Sequence, residues 1–246
     1  MTQTLTARQK VLDCLQQLEP GDLVRYRDFA DLGVAPGTVA VVLSRLRREG
    51  MVQQLTKGIY RRPLTGRFGP VPASEQQVLH ALLQTSGEQL RGYPTGVAAF
   101  NRLGLTTQVP QQIEIATLRP GRPRKVGNVQ LRFVQSCGEV KAADVGLRQL
   151  LDALRRLKRL PDTAPAAALP RLREQIRKLA PGEKERLAYL AASYNPATRA
   201  LLGAVLEQLG ENQLATQLLE SLNPLTAYKL GLSDVALPNR AKWRIQ

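Results

Sequence analysis

The stretch between residues 5 and 63 constrains the fold most, because three helical patterns are followed there by an alternating one. Leu5, Val11, Leu12, Leu15 and Leu18 recur at helical spacing until Pro20-Gly21 interrupts them. Tyr26 to Leu32 predicts a short second helix with Phe29 and Leu32 turned inward, and Gly33 breaks it. Pro36 suits the first turn of a third helix running to about Glu49, with Gly50 as its cap. The segment MVQQLTKGIYRRP then alternates Val52, Leu55, Ile59 and Tyr60 around Lys57-Gly58, the pattern of two strands joined by a tight turn. Three helices and a hairpin in this order predict a winged helix-turn-helix over residues 1–64.

The remaining patterns predict an α/β chain that is mainly α. SEQQVLHALLQT and GVAAFNRLG read as helices, and IEIATL and VQLRFVQ as strands, which makes residues 65–141 a small α/β domain with a β-hairpin. In that reading LRPGRPRKVGN is the hairpin loop between the two strands. Residues 142–222 form a helical region. Leu147, Leu150, Leu151, Leu154 and Leu157 share one face there, and Arg148, Arg155, Arg156 and Arg159 lie mostly on the other. An Ala- and Pro-rich linker is expected from Pro161 to Pro170, with further helices near 171–180, 183–194, 197–209 and 211–222. Residues 223–246 are a tail of weak periodicity that carries the only tryptophan. At 246 residues, two or three small domains suit the chain better than one unit.

Thirty-five Lys and Arg against twenty Asp and Glu leave a formal charge of +15, which favours a polyanionic partner and makes nucleic acid the leading class. The excess is spread along the whole chain, so charge alone does not single out one surface. No run approaches the roughly 18–20 apolar residues of a membrane span, and the Thr- and Gln-bearing N-terminus lacks a signal pattern, so a soluble cytoplasmic protein is expected. Cys14 and Cys137, far apart in apolar or strand-like contexts, predict buried free thiols.

In a helix-turn-helix the third helix enters the major groove. With Val39, Val42, Leu43 and Leu46 inward, Thr38, Ala40, Val41, Ser44, Arg45 and Arg48 face out. Arg45 suits a bidentate contact to guanine, whereas Ala40 and Val41 can meet only thymine methyl groups. Lys57, Arg61 and Arg62 place cations on or beside the wing, for phosphate or minor-groove contact. The DNA-binding set is therefore Thr38, Ser44, Arg45, Arg48, Lys57, Arg61 and Arg62. Arg119, Arg122, Arg124 and Lys125 form a cationic loop open to a phosphate backbone. Tyr93, Asn101, Thr106, Thr107 and Gln108 form either a polar surface for RNA or a partner, or structural turns.

Catalytic signals are sparse. His80, the lone histidine, sits in an apolar helical context that suits a structural role. CxxC, HExxH and GxxxxGK[ST] motifs are missing, as is any aspartate from Leu32 to Ala143, and Glu114 stands alone on its strand. Metal-dependent strand cleavage needs clustered carboxylates, so no catalysis, metal or cofactor is expected.

The order VLSRLRREGMVQQLTKGIYRRP, then GYPTGVAAFNRLGLTTQVP, then IEIATLRPGRPRKVGN resembles the type IV toxin–antitoxin antitoxins of the abortive-infection AbiEi type. The likeness covers roughly residues 5–140 and is most specific from Thr95 to Pro110. It implies a bacterial phage-defence antitoxin whose winged helix represses its own promoter as double-stranded DNA, on an inverted repeat. It further implies opposition to a cognate nucleotidyltransferase toxin without a stable inhibitory complex. The alternative is a nucleic-acid-binding accessory or regulatory protein of a mobile element that has no toxin partner.

Overall fold

A computed structural model describes residues 5–84 and 89–246, the Arg27 side chain apart, as a mainly helical chain with small sheets. Two compact units emerge. The first runs up to Leu83 and takes in Arg124–Gln130; the second comprises Gln84–Pro123 and Leu131–Gln246.

In the first unit, helix α1 (Ala7–Gln16) starts from a reciprocal cap. Thr6 Oγ1 accepts from the Gln9 amide at 3.3 Å, and Gln9 Oε1 accepts from the Thr6 amide at 2.8 Å. Val11 and Leu15 are buried, but Leu5 precedes the cap and stays exposed, outside the inward stripe expected for it. Strand β1 (Leu23–Arg25) follows, too short for its alternation to be legible in the sequence. Tyr26–Leu32 is a 3-10 helix with Phe29 buried. Helix α2 (Pro36–Arg48) has Pro36 in its first turn, where the missing N–H costs nothing. At its other end the Gly50 amide bonds Arg47 O (3.1 Å) and the Met51 amide bonds Leu46 O (2.9 Å), closing the last turn as a Schellman motif.

Strands β2 (Gln53–Thr56) and β3 (Ile59–Arg61) form the hairpin around Lys57-Gly58, with a register shift at Leu55. Strand β1 pairs antiparallel with the other side of β3, Leu23 opposite Arg61, so the sheet order is β1-β3-β2. Its core joins Val11, Leu15, Val24, Phe29, Val39, Val42, Leu43, Leu46, Val52 and Tyr60. A small ribbon, β4 (Thr65–Gly66) and β5 (Gly69–Pro70), leads to α3 (Glu75–Leu83). Ser74 and Gln77 cap α3 reciprocally. The helix expected from SEQQVLHALLQT closes at Leu83, and its Thr85 lies outside the described residues.

The second unit opens with β6 (Gln89–Leu90), β7 (Tyr93–Thr95), α4 (Val97–Arg102) and β8 (Ile113–Thr117). Strand β9 (Arg124–Val126), which groups with the first unit, turns at Gly127-Asn128 into β10 (Val129–Gln135), and β11 (Val140–Lys141) of the second unit pairs with β6. Strand β7 is antiparallel to β8, but β8 and β10 run parallel, with Ile113 opposite Leu131. This corrects the hairpin-loop reading of LRPGRPRKVGN. Parallel neighbours cannot be joined by a tight turn, so residues 118–128 are a crossover that contains a strand of its own. Alternation shows that a segment is a strand, not which way its partner runs.

Helices α5 (Val145–Arg155), α6 (Pro165–Arg177), α7 (Pro181–Ala191), α8 (Pro196–Gln208) and α9 (Asn212–Glu220) complete the unit. Phe100 and Leu105 share one core with them, including all five of the leucines expected on the inner face of this region. The expected linker from Pro161 to Pro170 is helical from Pro165 onward. Proline at the first helical position and a run of three alanines favour helix, and Ala168 and Leu169 are buried. Pro165, Pro181 and Pro196 each open a helix. The segment after α9 is pinned back on itself: the Tyr228 amide donates to Arg244 O at 2.7 Å and the Gln246 amide to Tyr228 O at 2.8 Å. Among the described residues no helix is long and apolar enough to cross a membrane.

An ion pair at the start of the helical region yields a pH prediction. Arg186 donates two bonds to the buried Asp144, 2.9 Å to Oδ1 and 2.8 Å to Oδ2, and these hold the carboxyl below its ordinary range. A carboxyl depressed in the folded state stabilises the protein above its unfolded pKa of about 4, and that contribution is lost as pH falls through the folded value. Asp144→Asn is therefore expected to cost about 2 kcal/mol at neutral pH and less at an acid pH below the ordinary carboxylate range, as read by chemical denaturation at both. Equal losses at the two pH values would show that the ionised carboxylate is not what stabilises.

Candidate nucleic-acid interface

Helix α2 fixes which side chains reach solvent from the first unit. Burial of Val39, Val42, Leu43 and Leu46 on one side leaves Thr38, Val41, Arg45 and Arg48, at spacings of three, four and three, on the other. Thr38, Arg45 and Arg48 are exposed, Ser44 and Ala40 are half-buried, and Val41 is 51% exposed in the middle of the stripe. Thirteen residues give a helix about 20 Å long, enough to lie along a major groove. Glu49, just past the helix end, is engaged by Arg8 through two bonds of 2.8 Å. That hydrogen bonding, with Arg45 and Arg48 nearby, keeps its carboxyl below the ordinary range, so it stays an anion at neutral pH. Its hydrogen bonds go to Arg8, so Arg45 and Arg48 meet it only through space.

The hairpin presents Lys57 at its exposed turn. Arg47 donates to Gln54 Oε1, which ties the end of α2 to β2. Behind the turn, Tyr26 and Tyr60 share a hydroxyl–hydroxyl bond of 3.1 Å with rings edge to face, and burial pushes the Tyr60 phenol up to about 12.

Two of the expected DNA contacts are withdrawn from this surface. Arg61 is 1% exposed, and its guanidinium donates to Val71 O. Its position in β3, between two paired strands, turns the side chain into the unit, and burial lowers its pKa. Arg62, half-buried, donates to Gln16 O (3.2 Å), a carbonyl left unpaired at the end of α1, and to Leu18 O just beyond the helix. Both arginines are structural. His80, expected in an apolar setting, is exposed.

In the second unit Tyr93 is 0% exposed and Thr106 is buried, which removes both from the polar surface considered for RNA. Asn101 Nδ2 donates to Thr106 O (3.3 Å) and Gln108 O (3.2 Å), and the Gln108 amide donates to Thr106 Oγ1 (3.1 Å). The turn after α4 thus consumes the Asn101 amide, while the Gln108 side chain and Thr107 stay exposed. Arg119 and Arg122 are exposed in the second unit; Arg124 and Lys125, also exposed, belong to the ribbon that groups with the first. The four do not form one loop of one domain.

A buried polar centre escaped the sequence reading. Asp152, among the leucines of α5, accepts from Tyr93 Oη (2.8 Å), Thr95 Oγ1 (2.6 Å) and Tyr194 Oη (3.1 Å). Burial and the nearby carboxylate push both phenols far above the usual tyrosine range, so they remain donors at any working pH. Arg148, expected outward, is also buried and donates to Cys137 O (3.3 Å) and Glu139 O (2.5 Å). An aspartate in an otherwise leucine-bearing helical stripe is the one sequence signal for this centre. Cys14 and Cys137 are free and half-buried, and among the described residues no group of His, Cys, Asp and Glu is arranged to hold a metal.

A family model described as a family of unknown function, DUF6088, matches residues 10–179. No curated protein matches the chain. Among solved structures it is similar to the crystal structure of the RV2827C protein from Mycobacterium tuberculosis. That match has 16% identity and a TM-score of 0.46 and covers 89% of this chain and 83% of that one.

Proposed function

The chain belongs to DUF6088, a family of unknown function, and from its exposed cations and the resemblance of its motifs to type IV antitoxins we propose that it is a DNA-binding antitoxin that represses its own promoter and opposes a nucleotidyltransferase toxin, without catalysis of its own. The observation that carries the DNA-binding half is the outward stripe of α2, with Arg45 and Arg48 exposed and Lys57 at the tip of a hairpin tied to that helix. Element order and the β1-β3-β2 sheet support reading this unit as a winged helix, with α2 as the groove-reading helix and Lys57 on the wing. Base readout rests on Arg45, and Val41 suits a thymine methyl. Thr38, Ser44, Arg48 and Lys57 position the helix on phosphates. The antitoxin half is supported by the resemblance across Thr95 to Pro110. The cytoplasm, where the promoter lies, is the compartment this function requires.

The test is a salt titration of binding to the DNA upstream of the gene, against a shuffled duplex of the same length. Preference for the upstream DNA of about a thousandfold or more at physiological salt is expected, with a steep fall in affinity as salt rises. Equal affinity for both duplexes would refute promoter-specific repression. Co-expression with the adjacent gene, scored by growth, tests the antitoxin half separately.

A further inference from the structure

The second unit carries a cleft of about 770 Å³ whose cations the DNA-binding reading does not use. Arg132, Arg155, Arg156, Lys158 and Arg159 line it, against a single carboxylate, Glu114. The backbone explains the crowding. Helix α5 ends at Arg155, and Leu157–Arg159 continues as one 3-10 turn in which Leu157 and Leu160 are drawn into the core. The intervening cations are thereby pushed outward, while Arg132 approaches from β10.

A helix end attracts cations through its dipole, which accounts for Arg155 and Arg156. It does not account for Lys158 and Arg159 beyond the helix, and Arg132, which pairs with Glu114 at 3.8 Å from its place opposite it on β10, shares that one carboxylate with Arg156. Like charges crowded at one cleft repel each other, and an anion relieves that repulsion. Several of these groups are held in place. Arg156 Nη1 bonds Glu114 Oε2 at 2.5 Å, Arg155 Nη1 donates to Cys137 Sγ at 3.1 Å, and Lys158 Nζ donates to Lys229 O at 3.2 Å. Glu114 in turn lies against Gly96, whose φ is +66°; a Cβ there would come within 2.6 Å of Glu114 Oε2, so only glycine leaves the carboxylate its place. The Arg159 amide donates to Arg156 O at 2.7 Å, but its guanidinium is exposed and has no hydrogen bond or ion pair among the described residues.

Phe100, Val97 and Leu157 add apolar lining beside the charges. The volume falls in the range of small-molecule sites and exceeds what an inorganic ion fills. We propose that this cleft binds the phosphate of a nucleotide, with the cations on the phosphate and the apolar lining against the sugar and base. The nucleotide is either free or the 5′ end of an RNA strand; the chemistry is the same and the experiment separates the sources. A phosphate monoester, with a second pKa of about 6, is close to a dianion at neutral pH and suits several cations at once.

Calorimetry on the full chain would use AMP, ATP, and an RNA of about eight nucleotides with either a 5′-phosphate or a 5′-hydroxyl. Saturable binding of a mononucleotide, or of the 5′-phosphorylated RNA over its 5′-hydroxyl twin, is expected. Affinity should weaken at least about tenfold in Arg132→Ala/Arg159→Ala and in Arg159→Glu alone, with the melting temperature unchanged. Lys178→Ala, on an exposed pair with Glu174, is the control that keeps wild-type affinity. Preference for the mononucleotides identifies a free ligand, and preference for the phosphorylated RNA identifies a strand end. No saturable binding below about 1 mM, RNA binding indifferent to the 5′-phosphate, or wild-type affinity in both arginine variants would each overturn the proposal. Promoter binding depends on other residues, so the two readings fail separately.

Discussion

Trp243→Ala is expected to destabilise the second unit by about 3–5 kcal/mol, the range for removing a large buried aromatic. Trp243 is 1% exposed and packs on helix α8 where Gly203 leaves the space: a Cβ at Gly203 would lie 2.1 Å from Cη2 of the indole. The indole Nε1 donates to Glu207 Oε2 at 2.8 Å, and Glu207 also takes donors from Asn239 (2.6 Å) and Lys242. Burial pushes the Glu207 carboxyl up, but these donors together outweigh it and hold it below its ordinary range. Truncation thus opens a cavity and strips a half-buried carboxylate of a donor. Gly203→Ala approaches the same contact from the other side and should destabilise by overpacking, about 1–3 kcal/mol or more, since the colliding atoms belong to a ring that cannot fold away. Denaturant unfolding followed by circular dichroism measures both. Losses below about 1 kcal/mol would mean that the segment 223–246 only rests on the helices.

Replacing Arg45 and Arg48 together by Ala should weaken promoter binding by about a hundredfold with no change in melting temperature, because both side chains are exposed on α2. The two contributions separate by experiment. If Arg45 reads a base, Arg45→Ala lowers affinity most for the preferred sequence and relaxes discrimination at one position. If Arg48 contacts phosphate, Arg48→Ala weakens all duplexes alike and makes the salt dependence shallower by about 1 in slope. Arg61→Ala is the contrasting case: its guanidinium is buried against Val71 O, so its loss should appear in stability first. Promoter affinity unaltered by the double Arg45/Arg48 replacement would remove α2 from the interface.

Much of the first unit was legible because its signals are local. The spacing of Val39, Val42, Leu43 and Leu46 settles the inner face of α2, and with it the exposure of Thr38, Arg45 and Arg48. Gly50 and Lys57-Gly58 mark a cap and a turn wherever the neighbouring chain goes. A guanidinium ordinarily seeks water, so the sequence predicts that Arg61 and Arg148 face outward. Each is buried because carbonyls ten and nine or eleven residues away in sequence, at Val71, Glu139 and Cys137, are folded onto it.

The amino-acid pattern carries the inner faces of α2 and α5 and the caps and turns that proline and glycine mark, since 3.6- and 2-residue periodicities follow from backbone geometry within a single element; segments as short as β1 and β9 hold too few residues to show one. Only the tertiary structure decided that β8 and β10 run parallel, that Asp152 collects three hydroxyls, that Trp243 fills the space over Gly203, and that Arg132 meets the cations at the end of α5. Each of these joins groups distant in the chain, and periodicity within one element carries no information about the partner it will meet.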